Sequence, residues 1–388
     1  MSIDPESLFA ILLSWYLAIC MVAEKAFKAL EKRGNTYVKV PPWKEWKARQ
    51  QAELGKVIRI EEGWIPGKAE AWHQDLHVTV YSPLDASSAK GVAFCFHGLG
   101  NFGQREYYYF APWLAKHGIV AVAPDLPYFG HNVLHRGAHG RIGKWESQIE
   151  AMTTCIKWAL APSSKIASAG VAVGTLPWFV VGISMSGLGV LDWGLSQFNE
   201  ACLDQQEMAR CKGVIALVPA IKFRLEINPV KKLLALILGK LAPNFVFDQQ
   251  TPPDPTTGLA RVSHDKQSVQ WCVPCIEPAS SFGLPTEDQS KEYEIDCFPG
   301  SPLSTVIKIY FAAGRVCKMA NKWPRVPLFC TGSSLDDLVD PTGAAEFVSR
   351  IDQAIPHQYK LYDGWYHPQL GEQNREMLFD DILKFIKN

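Results

Sequence analysis

Short apolar runs alternate with longer amphipathic segments along most of this chain. The runs are rich in Val, Ile and aromatic residues and end at turn residues, which is typical of buried strands. Strands are predicted at 59–65, 76–81, 91–96, 119–123, 178–181, 213–218, 326–330 and 358–362. Helices are predicted at 107–117, 145–160, 188–195, 344–351 and 372–386. Such alternation predicts an α/β fold, a mainly parallel sheet with helices on both faces.

The alternation stops between about residues 221 and 305. An apolar helix is predicted there at 230–241, and the Pro-rich stretches at 251–255 and 298–302 indicate loops. We therefore predict a cap inserted between two strands of the sheet. The expected organisation is an apolar N-terminal helix (1–35), a first core part (36–220), the cap (221–305) and a second core part (306–388).

A serine lies on a sharp turn between a predicted strand and a predicted helix. The sequence Gly-x-Ser-x-Ser-Gly, centred on Ser184, follows the strand at 178–181 and leads into the apolar run at 188–195. A turn of this kind lifts the serine oxygen out of the sheet, and the start of the helix offers backbone N–H groups to an anion. Ser184 is therefore the predicted nucleophile.

A serine hydroxyl needs a base that takes its proton, and His367 is the predicted base. It lies in a loop just after the last predicted strand, where a side chain can reach over the sheet. His357 lies at the opposite end of that strand, and His264 lies in the predicted cap. Where a serine on such a strand-to-helix turn acts as the nucleophile, it comes first along the chain, the acid second and the histidine last.

The acid that orients the base should follow the preceding strand. Asp336 is the first choice in the 331–341 loop and Asp337 is the alternative. Asp340 precedes a proline and is predicted to cap the following helix. Three aspartates near a helix start are also typical of a solvated turn.

The developing oxyanion requires two fixed hydrogen-bond donors. The backbone N–H of Met185, the residue after the nucleophile, is one candidate. The second is the N–H of Leu99, in the loop that follows His97 and Gly98. His97 itself is expected to hold that loop by hydrogen bonds and to take no part in the chemistry.

Composition changes this picture little. Lys+Arg and Asp+Glu both count 39, and no basic run is present, so nucleic acid is not an expected partner. The 10 cysteines lack the spacing of a disulfide framework, which favours free thiols in a reducing compartment. Cys272 and Cys275 form one CxxC without further ligands nearby, so no metal and no cofactor are predicted.

Residues 8–23 contain no charged side chain. Acidic residues precede this run, and four basic residues follow it between positions 25 and 33. That order does not suit a cleaved signal peptide. The run is slightly shorter than a bilayer requires, so it could span, lie in the interface or pack on the core. We expect membrane attachment with the catalytic part on the cytoplasmic side; a cytoplasmic protein with a packed helix is the alternative.

From about residue 90 to the end, the chain resembles the monoacylglycerol lipase branch of the α/β-hydrolases. The resemblance rests on His97-Gly98, Asp125-Leu126, Gly130-His131, Leu176-Pro177 before Ser184, Gly213-Val214-Ile215, Pro219-Ala220, Ser263-His264-Asp265 and Val326-Pro327-Leu328. The resemblance implies the α/β-hydrolase fold, a lipid-facing cap and a triad of Ser184, Asp336 and His367. The family has an aspartate four residues before an Asp-Pro pair, which corresponds to Asp336. Its Gly-x-x-His loop corresponds to Gly364 and His367.

The chain departs from the family pattern in three places within this stretch. Ser186 replaces a glycine in the turn, and serine is small enough to be tolerated there. One extra residue lies between Gly332 and Asp336, which keeps Asp337 open as the acid. Asn101 and Phe102 replace polar charged residues that often meet the glycerol head, so the substrate can differ.

The leading hypothesis is a serine hydrolase that cleaves a lipid ester, such as a monoacylglycerol or another single-chain ester. An acyltransferase would use the same residues with an alcohol in place of water. A non-catalytic homologue that only binds lipid is the alternative of a different class. Epoxide or haloalkane chemistry is not expected, since those relatives carry aspartate in place of Ser184. The sequence predicts no oligomeric state.

Overall fold

The structure is a computed structural model that describes most of the predicted core. The described residues are 43–67, 75–132, 140–161, 173–200, 203–224 and 302–387, with short pieces at 236–237, 239, 276–278 and 294–296. The predicted N-terminal helix, nearly all of the 230–241 helix, and His264 lie outside them. Among the described residues, no helix combines the length and apolar character needed to cross a bilayer.

Eight strands form one open, mostly parallel sheet. They are β1 (Ile58–Ile65), β2 (Leu76–Pro83), β3 (Gly91–Phe96), β4 (Ile119–Pro124), β5 (Trp178–Ile183), β6 (Cys211–Leu217), β9 (Leu328–Ser333) and β10 (His357–Tyr362). In space their order is β1, β2, β4, β3, β5, β6, β9, β10. The first two pairings, β1 with β2 and β2 with β4, are antiparallel, and all the others are parallel. All eight strands predicted from the sequence are present.

The central strands are buried on both faces. In β3, for example, Phe94 packs into the core on one side of the sheet and Cys95 into the core on the other side. Side chains of a strand alternate between its faces, so a strand covered on both sides needs a continuous apolar run. This explains why the sequence shows such runs here rather than an alternating pattern.

Helices cover both faces of the sheet. Their bounds are α1 (Trp43–Leu54), α2 (Gly103–Glu106), α3 (Phe110–Lys116), α4 (Trp145–Leu160), α5 (Met185–Glu200), α6 (Gln205–Ala209), α7 (Leu303–Lys318), α8 (Pro341–Ser349) and α9 (Glu376–Lys387). The predicted cap of α8 is confirmed, because Asp340 accepts a hydrogen bond from the N–H of Thr342, but the helix begins at Pro341 rather than at the predicted residue 344.

The helix predicted at 107–117 is shorter in the structure, where α3 covers Phe110–Lys116 and residues 107–109 form a turn after the short helix α2. Pro112 lies in the first turn of α3, where a residue without an N–H is tolerated. Helix α1 was not predicted. Its buried residue Gln50 donates a hydrogen bond to the carbonyl of Tyr108 at 2.9 Å. Because this buried position is polar, the helix lacks the apolar periodicity by which a helix is predicted from sequence.

Strands β6 and β9 are neighbours in the sheet but are far apart along the chain. The segment between them includes the short antiparallel pair β7 (Ile276–Pro278) and β8 (Glu294–Asp296), which does not join the main sheet. The predicted cap falls in this segment. Its boundaries, and the other domain boundaries, stay predictions.

Candidate active site

Ser184 lies on the tight turn between β5 and α5. Its φ of +54° is in the left-handed region, which costs energy for a residue with a side chain. Two backbone bonds fix the turn: Ser184 N–H donates to Leu217 at 2.9 Å, and the Ser184 carbonyl accepts from Ala220 at 3.0 Å. A Cβ at Gly182 would collide with the backbone of Ser186, so only glycine permits this approach of helix and strand.

His367 and Asp336 complete a hydrogen-bonded chain that ends on Ser184. The Nε2 atom of His367 lies 2.8 Å from the Ser184 hydroxyl oxygen, and its Nδ1 atom lies 2.6 Å from Oδ2 of Asp336. Asp336 is buried, and its other oxygen accepts the N–H groups of Leu338 and Val339. With Nδ1 protonated toward the carboxylate, the Nε2 lone pair faces the serine, as a general base requires.

Asp337, the alternative acid, is exposed, and it is Asp336 that bonds to Nδ1 of His367. His357, at the start of β10, is at the opposite end of the strand from the loop that carries His367. Gly364 opens that loop with a φ of +74°, and its N–H donates to the hydroxyl of Ser334 at 2.7 Å. The structure thus brings together Ser184, Asp336 and His367, the three side chains that sequence reasoning selected.

The loop after β3 lies beside the nucleophile. A Cβ placed on Gly98 would be 3.4 Å from the Cβ of Ser184. His97 is fully buried, and burial lowers its pKa to about 4, so the ring is neutral. Its Nε2 accepts from the N–H of Leu126 at 2.9 Å, and its Nδ1–H donates to the carbonyl of Gly98 at 2.8 Å. His97 therefore holds the loop, as expected.

A family model described as serine aminopeptidase, S33, matches residues 87–374, well over half of the chain. The chain belongs to the serine aminopeptidase S33 family of α/β-hydrolases. Phospholipase YtpA of Bacillus subtilis is 22% identical over 303 residues, which cover 76% of this hydrolase and 94% of that protein.

Solved structures of lipases and esterases share the fold of this hydrolase. A soluble variant of monoglyceride lipase from Saccharomyces cerevisiae matches with a TM-score of 0.57 and 16% identity, over 85% of this chain and 94% of that chain. A carboxyl esterase from Bacillus coagulans matches with a TM-score of 0.55 and 15% identity, over 85% and 98%. These matches and the family confirm the predicted fold, the resemblance and the enzyme class, a lipase- or esterase-type hydrolase.

The hydrolase also contains a second cluster of ionisable side chains, at the end of β4. Asp125 is fully buried, and its Oδ2 lies 2.7 Å from Nδ1 of His131 and 3.4 Å from Nδ1 of His77. The two imidazole rings are stacked, with centroids 3.7 Å apart and planes 23° from parallel. One ligand atom from each of the three side chains lies within 4.8 Å of the others, but both Nδ1 atoms lie against the same carboxylate oxygen, where they can share protons with it.

Charge is divided unequally between the two stacked histidines. Burial opposes a charge on His77, but the carboxylates of Asp125 and Glu62 outweigh burial and raise its pKa to about 9. Burial lowers the pKa of His131, and the neighbouring charge of His77 lowers it further. The carboxylates therefore favour a positive charge on His77, and that charge disfavours a second one on His131.

Two side chains that touch the loop after β3 had no role in the sequence analysis. The hydroxyl of Ser186 donates to the carbonyl of His97 at 2.5 Å, and Oε2 of Glu106 accepts from the N–H of Gly98 at 3.1 Å. From its sequence position, Ser186 is expected only to be small enough for the turn. Glu106 belongs to no motif, and only the placement of α2 against the loop shows its contact.

Proposed function

We propose that this S33-family protein cleaves a carboxylic ester of a lipid through an acyl-enzyme formed on Ser184. The observation that supports this proposal is the hydrogen-bonded chain from Ser184 through His367 to Asp336. The predicted oxyanion donors are the N–H groups of Leu99 and Met185. Met185 directly follows Ser184, and Leu99 follows Gly98, where an added Cβ would be 3.4 Å from the Cβ of Ser184. Both N–H groups therefore belong to backbone near the nucleophile, and in the proposed reaction they bind the oxygen of the substrate carbonyl as it becomes negative.

In the proposed reaction, the Ser184 oxygen attacks the ester carbonyl while Nε2 of His367 takes the hydroxyl proton. The imidazolium then gives this proton to the departing alcohol, and the acyl group stays on Ser184. A water molecule attacks the acyl-enzyme, loses a proton to His367 and releases the carboxylic acid and the free serine. Asp336 keeps the ring oriented and stabilises its charged form throughout.

The substrate class is proposed from relatives and from the rim of the site. The structural relatives include monoacylglycerol lipases, and the sequence relative is described as a phospholipase. Leu335 and Leu338 flank Asp336 and are 42% and 46% exposed. Large exposed apolar side chains at the edge of a site are suited to an acyl chain. A monoacylglycerol or a similar single-chain ester fits these features best.

A covalent probe tests the nucleophile. An alkyl fluorophosphonate should label the wild-type protein, and Ser184→Ala should abolish labelling and turnover. Ser196→Ala is a matched control on the same helix, α5, and should be labelled like the wild type. Undiminished labelling of Ser184→Ala would refute the assignment. A panel of monoacylglycerols, phospholipids and short-chain esters would then rank substrates, and the single-chain lipid esters should be cleaved fastest.

We also propose that residues 8–23 attach the protein to a membrane. Their uncharged sequence and the basic residues that follow support this. Removal of the chain through residue 33 should move the protein from the membrane fraction to the supernatant after lysis. Recovery of the full-length protein in the supernatant would contradict attachment.

A further inference from the structure

The backbone of the loop after β3 is held by side chains at successive peptide groups. Once a strand ends, its carbonyl groups lose their ladder partners and need others. The carbonyl of Phe96 accepts from the hydroxyl of Tyr107 at 2.8 Å, and the carbonyl of Gly98 accepts from Nδ1 of His97. The peptide group between these two is the unusual one.

The peptide group that joins His97 to Gly98 is bound at both ends. Ser186 donates to its carbonyl oxygen, and Glu106 accepts from its N–H. The two side chains come from different elements, Ser186 from α5 and Glu106 from α2. This peptide therefore connects the helix that begins at the nucleophile with the helix that packs on β4.

Both anchors of this peptide are themselves fixed. Ser186 is fully buried, two residues beyond Ser184. Helix α2 begins at Gly103, whose N–H donates to Oδ1 of Asp125 at 2.8 Å, and a Cβ at Gly103 would be 2.5 Å from the carbonyl oxygen of Ala123. The position of Glu106 is thus set by close packing of α2 on β4. Asn101 also hydrogen-bonds to the Glu106 carboxyl.

The next peptide group along the chain ends in the N–H of Leu99, the predicted oxyanion donor. Gly98 has no side chain that would restrict its backbone, so bonds to the peptide groups on both sides must fix it. Ser186 and Glu106 hold the peptide before Gly98, and the His97 ring holds the carbonyl of the peptide that ends in the Leu99 N–H. A rotation of the His97–Gly98 peptide would therefore turn the Leu99 N–H away from the oxyanion. Transition-state stabilisation depends on donors that are already in place, so such freedom would slow the reaction.

We propose that Ser186 and Glu106 are positioning residues that clamp the His97–Gly98 peptide and thereby aim the Leu99 N–H at the oxyanion. This inference rests on the proposed function. It gives Ser186, which departs from the glycine of the related lipases, a role of its own. Neither side chain needs to touch the substrate.

The test compares kcat, KM and the affinity of a trifluoromethyl ketone, which forms a tetrahedral adduct with the serine. Ser186→Ala and Glu106→Leu should each lower kcat about fivefold, since a hydrogen bond contributes about 1 kcal/mol. KM should change less than about twofold, because the ground-state carbonyl depends less on the donor. The ketone should bind more weakly by the same factor as kcat/KM falls. Glu106→Gln keeps an oxygen acceptor and should restore most of kcat.

Thr153→Val is the matched control for Ser186→Ala. It removes a buried hydroxyl on α4 that donates to Ile149 and accepts from Trp193, so it should lower stability without changing kcat or ketone affinity. The double variant Ser186→Ala/Glu106→Leu should lose less activity than the product of the single losses, since both act on one peptide.

Unchanged kcat and ketone affinity in both single variants would overturn the clamp, and so would an equal loss in Thr153→Val. Failure of the proposed function would look different. The wild-type protein would then neither react with a fluorophosphonate nor bind the ketone, and the clamp would be rejected together with the function.

Discussion

The molecule contains two aspartate–histidine pairs of nearly the same geometry. In one, Oδ2 of Asp336 lies 2.6 Å from Nδ1 of His367, and in the other, Oδ2 of Asp125 lies 2.7 Å from Nδ1 of His131. Each aspartate follows a strand of the sheet and also accepts backbone N–H groups. The short carboxylate–imidazole contact therefore does not by itself distinguish a catalytic pair from a structural one.

The difference lies in what surrounds each ring. His367 presents Nε2 to the Ser184 hydroxyl and keeps 15% of its side chain exposed. His131 is buried and stacked on His77. A base needs a proton donor within reach and access for the substrate, and only the first pair has both. Asp125 of the second pair follows β4 and contacts His77 on β2 and the N–H of Gly103 on α2. The second pair therefore stabilises the packing of these elements.

The same substitution should mainly lower kcat at Asp336 and mainly lower stability at Asp125. The loss of kcat at Asp336 is the larger effect. In Asp336→Asn, an oxygen can still accept from Leu338 and Val339, but an amide NH2 faces His367 and favours the tautomer with its proton on Nε2. That tautomer cannot take a proton from Ser184, so kcat should fall by about 10³–10⁴-fold. The melting temperature should change little.

In Asp125→Asn, only one oxygen remains for the N–H groups of Gly103 and His131 and for the His131 ring. A buried donor would be left unsatisfied, and the free energy of unfolding should fall by about 2–4 kcal/mol. Urea denaturation measures this loss, and steady-state kinetics measure kcat for both variants. If Asp125→Asn lowered kcat as much as Asp336→Asn does while its free energy of unfolding stayed at the wild-type value, the two pairs could not be divided into a catalytic and a structural one.

The pH dependence of stability gives a smaller, third test of the comparison. The folded-state pKa of His77, about 9, is above its ordinary value of 6.5. A group with a raised folded pKa stabilises the protein fully below its unfolded pKa, and this stabilisation is lost as pH rises through the folded pKa. The change corresponds to at most about 3 kcal/mol. We therefore expect stability to decline between about pH 6.5 and 9.

His77→Gln should flatten this decline, and urea denaturation at several pH values for both proteins measures it. Buried thiols such as Cys211, whose pKa burial raises to about 12, also reduce stability at high pH, but they do so equally in both proteins. The difference between the two proteins therefore isolates His77. Parallel curves would show that His77 carries no extra charge in the folded state.

The sequence predicted the sheet and the position of Ser184 on a turn well, because both depend on local signals. Apolar runs define the strands, and a serine between a strand and a helix defines the turn. The proposed base was selected by chain order, since His367 comes directly after the last predicted strand. Glu106 could not be found in this way. Its contact with Gly98 depends on how α2 packs on β4. That packing produces no periodic pattern of apolar residues in the sequence.

The choice between Asp336 and Asp337 shows the same limit at the scale of one residue. Both follow β9 in the same loop, and neither spacing nor composition separates them. The structure separates them by burial, because the turn at Leu338 and Val339 closes over one carboxylate and leaves the other in solvent. A side chain's direction out of an irregular loop is a tertiary property, so sequence patterns do not encode it.

Asp337→Asn should accordingly have the smallest effect of the substitutions at these aspartates. The side chain is exposed, so its loss should change stability by less than about 0.5 kcal/mol. The rate should stay within about twofold of the wild type, because an exposed charge near the site is screened by solvent and salt. Parallel assays of Asp336→Asn and Asp337→Asn compare two neighbouring carboxylates in one loop. A large loss at Asp337 with a small one at Asp336 would mean that the loop rearranges when substrate binds, and the assignment of the acid would have to be exchanged.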